Sequence, residues 1–275
     1  MVGRGDVVGA ELVRNPDVAK ISFTGSVAVG QTIMRDGAAT MKRVTLELGG
    51  KSPNILLDDA DLDKAIPTAL AIAFMNSGQA CVAGTRLLVP RTRLDEVKRS
   101  ILVAMHAFPT GDPADPETAV GPMVTQKQYE RVQSYIRKGI EEGAEVLVGG
   151  EGHPEGLEAG YFVKPTVFVN VTNDMTIARE EIFGPVLCVI TYENDEDAIR
   201  IANDTTYGLH AYVSGTDAQR ARRVASHLLV GRVAVNGMLD DQQAPFGGFK
   251  HSGVGREFGT YGIEAFLETR AILES

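Results

Sequence analysis

Cys81 is the side chain with the clearest potential for covalent chemistry in this sequence. It follows the turn sequence Asn76-Ser77-Gly78, which places its thiol where it can face a cleft, as a nucleophile must. The alternative is inert packing, because free cysteine is among the most buried residue types. Cys188 lies inside the apolar run from Pro185 to Ile190, and we predict that it belongs to the core.

Two glutamates lie beside turns where a carboxylate can act on a ligand. Glu47 ends a β-rich run and precedes two adjacent glycines, a position that suits a general base. The alternative for Glu47 is a solvated turn residue. Glu181 comes shortly before the rigid Gly184-Pro185 corner, which can hold a ligand or simply end a strand.

A possible phosphate site lies at Phe23-Thr24-Gly25-Ser26, with Gly30 four residues later. Glycine and a hydroxyl between a strand and a helix leave free backbone N–H groups, which attract phosphate together with the helix dipole. The spacing is not that of the GxGxxG fingerprint. Any tight strand-to-helix turn can carry Gly and Ser, so this signal alone is weak.

The elements that must position these side chains alternate between strand and helix patterns. The chain up to Asp17 is expected to be extended or turn-rich. A helix follows Asp61 as N-cap, and Pro67 implies that it begins near Ile66 or kinks. Thr125 and Gln128 resemble a capping box. The alternation predicts an α/β fold with a largely parallel sheet and flanking helices. The strands are expected at 18–23, 42–46, 53–57, 86–89, 145–148, 163–169, 186–192, 209–213 and 232–235.

Composition excludes several classes of function. The 275 residues are 44% hydrophobic and 23% charged, which is typical of a globular protein with a buried core. The formal net charge of −9 argues against nucleic-acid binding, which needs a basic face. No run of about 18 apolar residues and no signal-peptide pattern occurs, so we expect a cytoplasmic protein without a membrane partner. Two cysteines make no disulfide framework, and no ligand spacing predicts a metal site.

Five motifs in this order resemble the NAD(P)-dependent aldehyde dehydrogenase superfamily over nearly the whole chain. The separation of 34 residues between Glu47 and Cys81 also fits that family. The motifs are Phe23 to Ser26 with Gly30, Leu46 to Asn54, Asn76 to Cys81, Glu180 to Val186, and Pro245 to Glu257.

The resemblance implies a catalytic mechanism and a set of ligand contacts. Cys81 would attack an aldehyde, and Glu47 would activate the water that releases the acid. The cofactor would be NAD, with NADP possible. The cofactor contacts implied are Gly25, Ser26, Leu48, Gly49, Glu181 and Phe183, and the residues implied to line the aldehyde tunnel are Phe246, Phe74 and Met75.

The resemblance begins partway through the family's chain. We therefore expect residues 1–48 to be the remnant of a Rossmann-like NAD(P)-binding domain and 49–248 to be the catalytic domain. Residues 249–275 would return toward the cofactor domain and form an oligomerisation tail, making a homodimer or homotetramer. An oxyanion-hole asparagine and a ribose-binding lysine of the family have no match here, so reduced activity is expected.

Two alternatives to this function stay open on the sequence. Cys81 and Glu47 could hydrolyse activated esters without a cofactor, because acyl transfer needs only a nucleophile and a base. A non-catalytic dimerising fragment is the other alternative, since the run from Tyr261 to Leu273 alternates in a way that suits strand pairing.

Overall fold

A computed structural model describes residues 2–275, whose strands form two sheets. The smaller sheet has the order β1-β2-β10, with β1 and β2 parallel and β10 antiparallel to β2. Its apolar side packs against two helices through Val13, Ile33, Leu46 and Leu48. The elements are α1 (Ala10–Arg14), β1 (Lys20–Thr24), α2 (Val27–Gly37), β2 (Arg43–Glu47) and β10 (Gly253–Val254).

The larger sheet contains seven strands in the order β5-β6-β7-β4-β3-β8-β9. All neighbouring pairs are parallel except β5 with β6, so the predicted α/β fold with a largely parallel sheet is confirmed. The strands are β3 (Pro53–Leu56), β4 (Arg86–Pro90), β5 (Glu145–Val148), β6 (Thr166–Val169), β7 (Val186–Tyr192), β8 (His210–Ser214) and β9 (Arg232–Val235).

Helices cover both faces of the larger sheet. Leu87 packs in the same cluster as α3 and α4, whereas Leu88 packs with α5, α7 and α8, because successive strand side chains point to opposite faces. The helices are α3 (Leu62–Phe74), α4 (Leu94–Ala104), α5 (Gln126–Glu141), α6 (Thr176–Arg179), α7 (Asp195–Asn203), α8 (Ala218–Ser226) and α9 (Gly259–Glu264).

Helix α3 differs from the expectation at its start. It begins at Leu62, with Asp61 accepting a hydrogen bond from the Asp63 amide, so the predicted N-cap is confirmed and a start near Ile66 is wrong. Pro67 lies in the second turn, where it removes a single backbone donor. The helix buries eight side chains, and this packing outweighs the lost bond.

The predictions for the two ends of the chain are also wrong. Residues 5–14 are helical rather than extended, and Val13 anchors α1 in the core of the smaller sheet. The run from Tyr261 to Leu273 pairs with no strand among the described residues. Its first part is helix α9, because local bonds such as that from the Ala265 amide to the Tyr261 carbonyl satisfy its backbone.

One further local prediction, the cap of α5, is confirmed. The Gln128 amide donates to Thr125 Oγ1 at 3.2 Å, which confirms the cap of α5. No helix within residues 2–275 is long and apolar enough to cross a membrane. Over the same residues, no three His, Cys, Asp or Glu side chains converge as they would around a metal ion.

Candidate active site

The segment that joins β2 to β3 passes between the two sheets, and buried Ser252 fixes it there. Ser252 Oγ donates to the Gly49 carbonyl at 2.6 Å and accepts from the Gly208 amide at 2.9 Å. The Ser252 carbonyl accepts from the Leu48 amide at 2.9 Å. These bonds hold the double-glycine turn in one position relative to both sheets.

The loop that carries Cys81 leaves α3 through a run of left-handed residues. Asn76, Ser77 and Gly78 have φ angles of 50°, 58° and 71°. The Asn76 side chain donates to the Gln79 carbonyl at 2.9 Å, and Ser77 Oγ bonds both the carbonyl and the amide of Gly121. Non-glycine residues in this region cost about 1–3 kcal/mol each, so the loop is held by these bonds in a strained shape.

Gly78 brings two of the sequence motifs together. A Cβ built on it would lie 2.2 Å from the Gly184 carbonyl oxygen and 2.6 Å from the Pro185 nitrogen. The backbone of the cysteine loop therefore rests directly on the Gly184-Pro185 corner, and only glycine fits this contact.

We expect Gly78→Ala to displace the cysteine loop and slow the alkylation of Cys81 by iodoacetamide by about tenfold or more, since a shift of about 1 Å can cost 10²-fold in a positioned reaction. Gly143→Ala is the matched control, because Gly143 has φ of 92° but nothing within 4 Å of an added Cβ. Equal alkylation rates in the two variants would contradict this account of the loop.

Cys81 is partly exposed beside the double-glycine turn. A Cβ built on Gly50 would lie 2.4 Å from the Cys81 carbonyl oxygen, so the double-glycine turn touches the cysteine backbone. Burial, and the nearby charges of Glu181 and Glu47, raise the pKa of the thiol, while the amides of Cys81 and Val82 partly offset this. The resting cysteine is therefore protonated and needs a base to become a nucleophile.

Glu47, at the end of β2, is almost completely buried. Neither carboxylate oxygen has a hydrogen-bond partner among residues 2–275. Burial, reinforced by the charge of Glu257, raises the pKa of Glu47 to about 7. A carboxylate with this pKa can accept a proton near neutral pH, as a general base must.

Glu181 contacts both glycines of the double-glycine turn. Its Oε1 accepts from the Gly50 amide at 2.9 Å, and its Oε2 would lie 2.3 Å from a Cβ on Gly49. Burial raises the pKa of Glu181. Phe183, two residues later, has φ of 62°, and Gln128 Nε2 donates to its carbonyl at 2.7 Å. The turn thus holds a carboxylate acceptor whose charge acts on the Cys81 thiol.

The predicted phosphate turn is exposed at the end of β1. Ser26 caps α2 by accepting from the Val29 amide at 3.4 Å, and the Gly25 amide donates to the Glu47 carbonyl at 3.0 Å. Leu48 packs against Gly30 on α2. This eleven-residue helix therefore presents its N-terminus close to the strand that ends in Glu47.

The three residues predicted to line the substrate passage have different surroundings. Phe74 is buried in the core, with its ring 5.7 Å from that of Phe108. Met75 packs beside Tyr212 in a small separate cluster. The Phe246 ring lies 5.5 Å from that of Phe258, in the segment that precedes Gly247. Gly247 in turn lies against Glu47 Oε1.

Several buried polar residues of the site were not singled out from the sequence. Ser252 lies in the last motif, but its role depends on contacts that are distant along the chain. Lys51 is completely buried, and its Nζ has no partner in the described part of the chain. Arg86 donates to the carbonyls of Lys51, Ile201 and Ala202. A charged residue at the start of an otherwise apolar strand is the signal that could have identified Arg86, whereas Lys51 lies in a turn and gives no such signal.

Comparison with known proteins gives one consistent result. The sequence profile described as "Aldehyde dehydrogenase family" matches residues 1–272. A protein named putative aldehyde dehydrogenase SH0913, from Staphylococcus haemolyticus, is 50% identical over 98% of this chain. A 3-succinoylsemialdehyde-pyridine dehydrogenase from Pseudomonas sp. is also 50% identical over 98% of the chain. The chain spans 57% of the length of each of these relatives.

Solved structures agree with this result. One match is a cysteine-to-alanine variant of AldC from Pseudomonas syringae in complex with NAD+ and octanal. It superposes on this chain with a TM-score of 0.96 and is 48% identical to it, and the match covers 98% of this chain and 56% of the AldC chain. A Mycobacterium tuberculosis protein complexed with NAD+ has a TM-score of 0.91 and 49% identity, covering 94% of this chain and 53% of that one.

Proposed function

The chain belongs to the aldehyde dehydrogenase family, and we propose that Cys81 and Glu47 are the nucleophile and the general base of a site that oxidises aldehydes to carboxylic acids. The observation that carries this proposal is the double-glycine turn. Gly50 touches the Cys81 backbone and donates to Glu181, and it lies three residues after Glu47. One short segment therefore gathers a thiol and two carboxylates.

The chemistry of the chain's own residues follows from this arrangement. The Cys81 sulfur would attack the aldehyde carbonyl carbon, and its proton would pass to a base, for which Glu47 has a suitable pKa. The backbone amides that act on the thiol would also hold the oxyanion that develops beside it. Glu47 would then release that proton to solvent. After oxidation leaves a thioester on Cys81, Glu47 would remove a proton from water, the water oxygen would add to the thioester carbonyl, and the C–S bond would break to release the acid and the Cys81 thiolate.

The residues present fit NAD or NADP as cofactor. The exposed N-terminus of α2, with Gly25 and Ser26, offers amide donors to a pyrophosphate. The Glu181 carboxylate offers an acceptor to ribose hydroxyls, and Leu48, Gly49 and Phe183 would flank the nicotinamide. When bound, the cofactor supplies the acceptor for the hydride that the aldehyde carbon loses.

The division of the chain is part of the same proposal. Residues 1–48 would belong to the cofactor domain, 49–248 to the catalytic domain, and 249–275 to a returning segment and oligomerisation tail. The antiparallel pairing of β10 with β2 supports the return. Exposed apolar side chains in the tail support a homo-oligomer; they include Tyr261, Ile263, Phe266, Leu267, Ile272 and Leu273.

A second candidate function is cofactor-free hydrolysis of activated esters by the same thiol. It is favoured by the fact that the thiol, the carboxylate with a pKa near 7 and the amides beside the sulfur all lie within residues 47–82. Acyl transfer needs these groups and no hydride acceptor.

Two parallel assays of the purified protein test both candidates. The first follows NADH formation with NAD and aldehydes of increasing length. The second follows the hydrolysis of p-nitrophenyl acetate. We expect aldehyde-dependent NADH formation, and its rate also tests the expectation of reduced activity. Ester hydrolysis alone would leave only the second candidate. If a folded protein catalysed neither reaction, the non-catalytic alternative would be favoured.

A further inference from the structure

Tyr212, the middle residue of β8, is a buried side chain that contacts the loop carrying Cys81 at more than one point. Its hydroxyl donates to the carbonyl of Val82, the residue after the cysteine, at 3.1 Å. A Cβ built on Gly84 would lie 3.2 Å and 3.3 Å from two carbons of the Tyr212 ring. The ring also belongs to the cluster against which Met75, at the start of the loop, is packed. The loop therefore rests on this one side chain both before and after Cys81.

The bond from Tyr212 is the hydrogen bond that holds the Val82 carbonyl. No backbone amide and no other side chain within residues 2–275 donates to this oxygen. The Val82 amide, together with that of Cys81, acts on the thiol and partly offsets the rise in its pKa that burial causes. Because the amide and the carbonyl of Val82 are joined through one Cα, a fixed carbonyl restricts the rotations that would turn the amide away from the sulfur.

Strand β8 also supports the double-glycine turn, so Tyr212 fixes the cysteine loop relative to that turn. A Cβ built on Gly50 would lie 3.4 Å from the Cβ of Leu209, the residue directly before β8. Tyr212 pairs in parallel register with Asn54 of β3, the strand that follows the turn. Loss of the contact with Tyr212 would therefore change the position of the thiol relative to the turn that follows Glu47.

The Tyr212 hydroxyl is a permanent donor rather than a base. Burial raises the pKa of Tyr212, and the charge of a Cys81 thiolate raises it further. The centre of the neighbouring His210 ring lies 4.5 Å from that of Tyr212, and burial lowers the pKa of His210 to about 4, so this neighbour is uncharged at neutral pH. A phenol that stays protonated keeps donating to the Val82 carbonyl. The bond is therefore available in both ionisation states of the thiol.

We propose that Tyr212 is a positioning residue whose bond to the Val82 carbonyl holds the amides beside the Cys81 sulfur in the orientation that stabilises negative charge there. For aldehyde oxidation, the inference rests on the proposed function. For the thiol itself it does not, because alkylation and acetylation of Cys81 can be measured without cofactor.

The first test uses Tyr212→Phe, which keeps the ring and removes only the hydroxyl. The pH profile of Cys81 alkylation by iodoacetamide, with the site identified by peptide mass, should shift to higher pH, and the rate at pH 7 should fall about three- to tenfold, because the thiolate loses amide donors. Acetylation of Cys81 by p-nitrophenyl acetate should slow about tenfold. This is less than the 10² to 10³-fold loss typical of a deleted oxyanion donor, because the amides are displaced and not removed.

Tyr192→Phe is the matched control. Tyr192 is also buried, and its hydroxyl donates to the Leu56 carbonyl at 2.6 Å. It pairs with Pro90, at the end of β4 that is distant from the cysteine loop. Each variant loses one buried bond to a backbone carbonyl, so their urea midpoints should fall by similar amounts, whereas only Tyr212→Phe should change the reactivity of Cys81. Equal alkylation profiles and acetylation rates in the two variants would overturn the inference.

The second test follows steady-state oxidation of an aldehyde with NAD. If the protein oxidises aldehydes, Tyr212→Phe should lower kcat/KM for the aldehyde about tenfold and change KM for NAD less than about twofold, because the bond acts on the thiol and its oxyanion and not on the residues proposed to bind the cofactor. An unchanged kcat/KM would contradict the inference for this reaction. Absence of aldehyde oxidation in the unmodified protein would overturn the proposed function and leave the comparison of Cys81 reactivity decisive for Tyr212.

Discussion

Replacing Cys81 with alanine is expected to lower aldehyde oxidation by about 10⁴-fold or more, because the variant has no atom that can form the covalent intermediate. Cys188, the second cysteine of the sequence, cannot substitute for it. Its side chain is completely buried, and its thiol donates to the Ile177 carbonyl at 3.3 Å. The measurement is NADH formation with a saturating aldehyde.

A readout that needs no cofactor accompanies this assay. Brief treatment with p-nitrophenyl acetate should add one acetyl group to the unmodified protein, detected by intact mass, and none to Cys81→Ala. Cys188→Ala is the matched control, and it should be acetylated like the unmodified protein. Acetylation of Cys81→Ala at the normal rate would show that another residue is the nucleophile.

The sequence was sufficient to predict those parts of the fold that depend on local pattern. The strands of the larger sheet and the caps of α3 and α5 follow from apolar periodicity and from Asp61 and Thr125, and all are present. Helix α1 was missed because a five-residue helix has too few turns to show a period. The alternating pattern of the run from Tyr261 to Leu273 predicted a strand, but the backbone bonds of its first part, up to the Leu267 amide, are helical.

Contacts between residues far apart in the sequence could not be predicted. Gly78 and Gly184 touch because the cysteine loop and the Gly-Pro corner meet in space, and no periodicity encodes that meeting. Arg232 and His210 resemble the polar residues of any half-exposed strand, yet they are largely buried. Neighbours at the end of α3 also diverge. Phe74, the last residue of the helix, faces the core, whereas Met75 lies just beyond the helix with a non-helical backbone and packs near Tyr212.

Glu47→Gln is expected to slow hydrolysis of the thioester by about 10² to 10⁴-fold, because the amide cannot accept a proton from water. Formation of the thioester should be slowed less, because the thiol can also lose its proton to solvent, so the variant should show a burst of NADH followed by a slow steady rate. After p-nitrophenyl acetate treatment, the acetylated enzyme should persist and be visible by intact mass. Equal steady rates in the two proteins would rule out Glu47 as the base for this step.

The pH dependence provides an independent test of the same residue. With a pKa of about 7, Glu47 is protonated at lower pH, so the hydrolysis rate should fall about tenfold for each pH unit below 7 and level off above it. Glu47→Gln should lose this inflection. If another group with a similar pKa controlled the hydrolysis rate, Glu47→Gln would keep the inflection.

Stability should change with pH in the opposite sense to activity. Because the folded protein holds the Glu47 proton more tightly than the unfolded chain, the contribution of this proton is complete below about pH 4.5 and is lost as the pH rises to about 7. At pH 8 the unmodified protein carries a buried, unpartnered carboxylate, whereas Glu47→Gln carries a neutral amide of similar shape. The variant should then unfold in urea at a midpoint no lower than that of the unmodified protein. A variant that hydrolyses the thioester slowly but unfolds at an equal or higher urea concentration would show that the Glu47 carboxylate lowers the stability of the fold and raises the rate of the reaction.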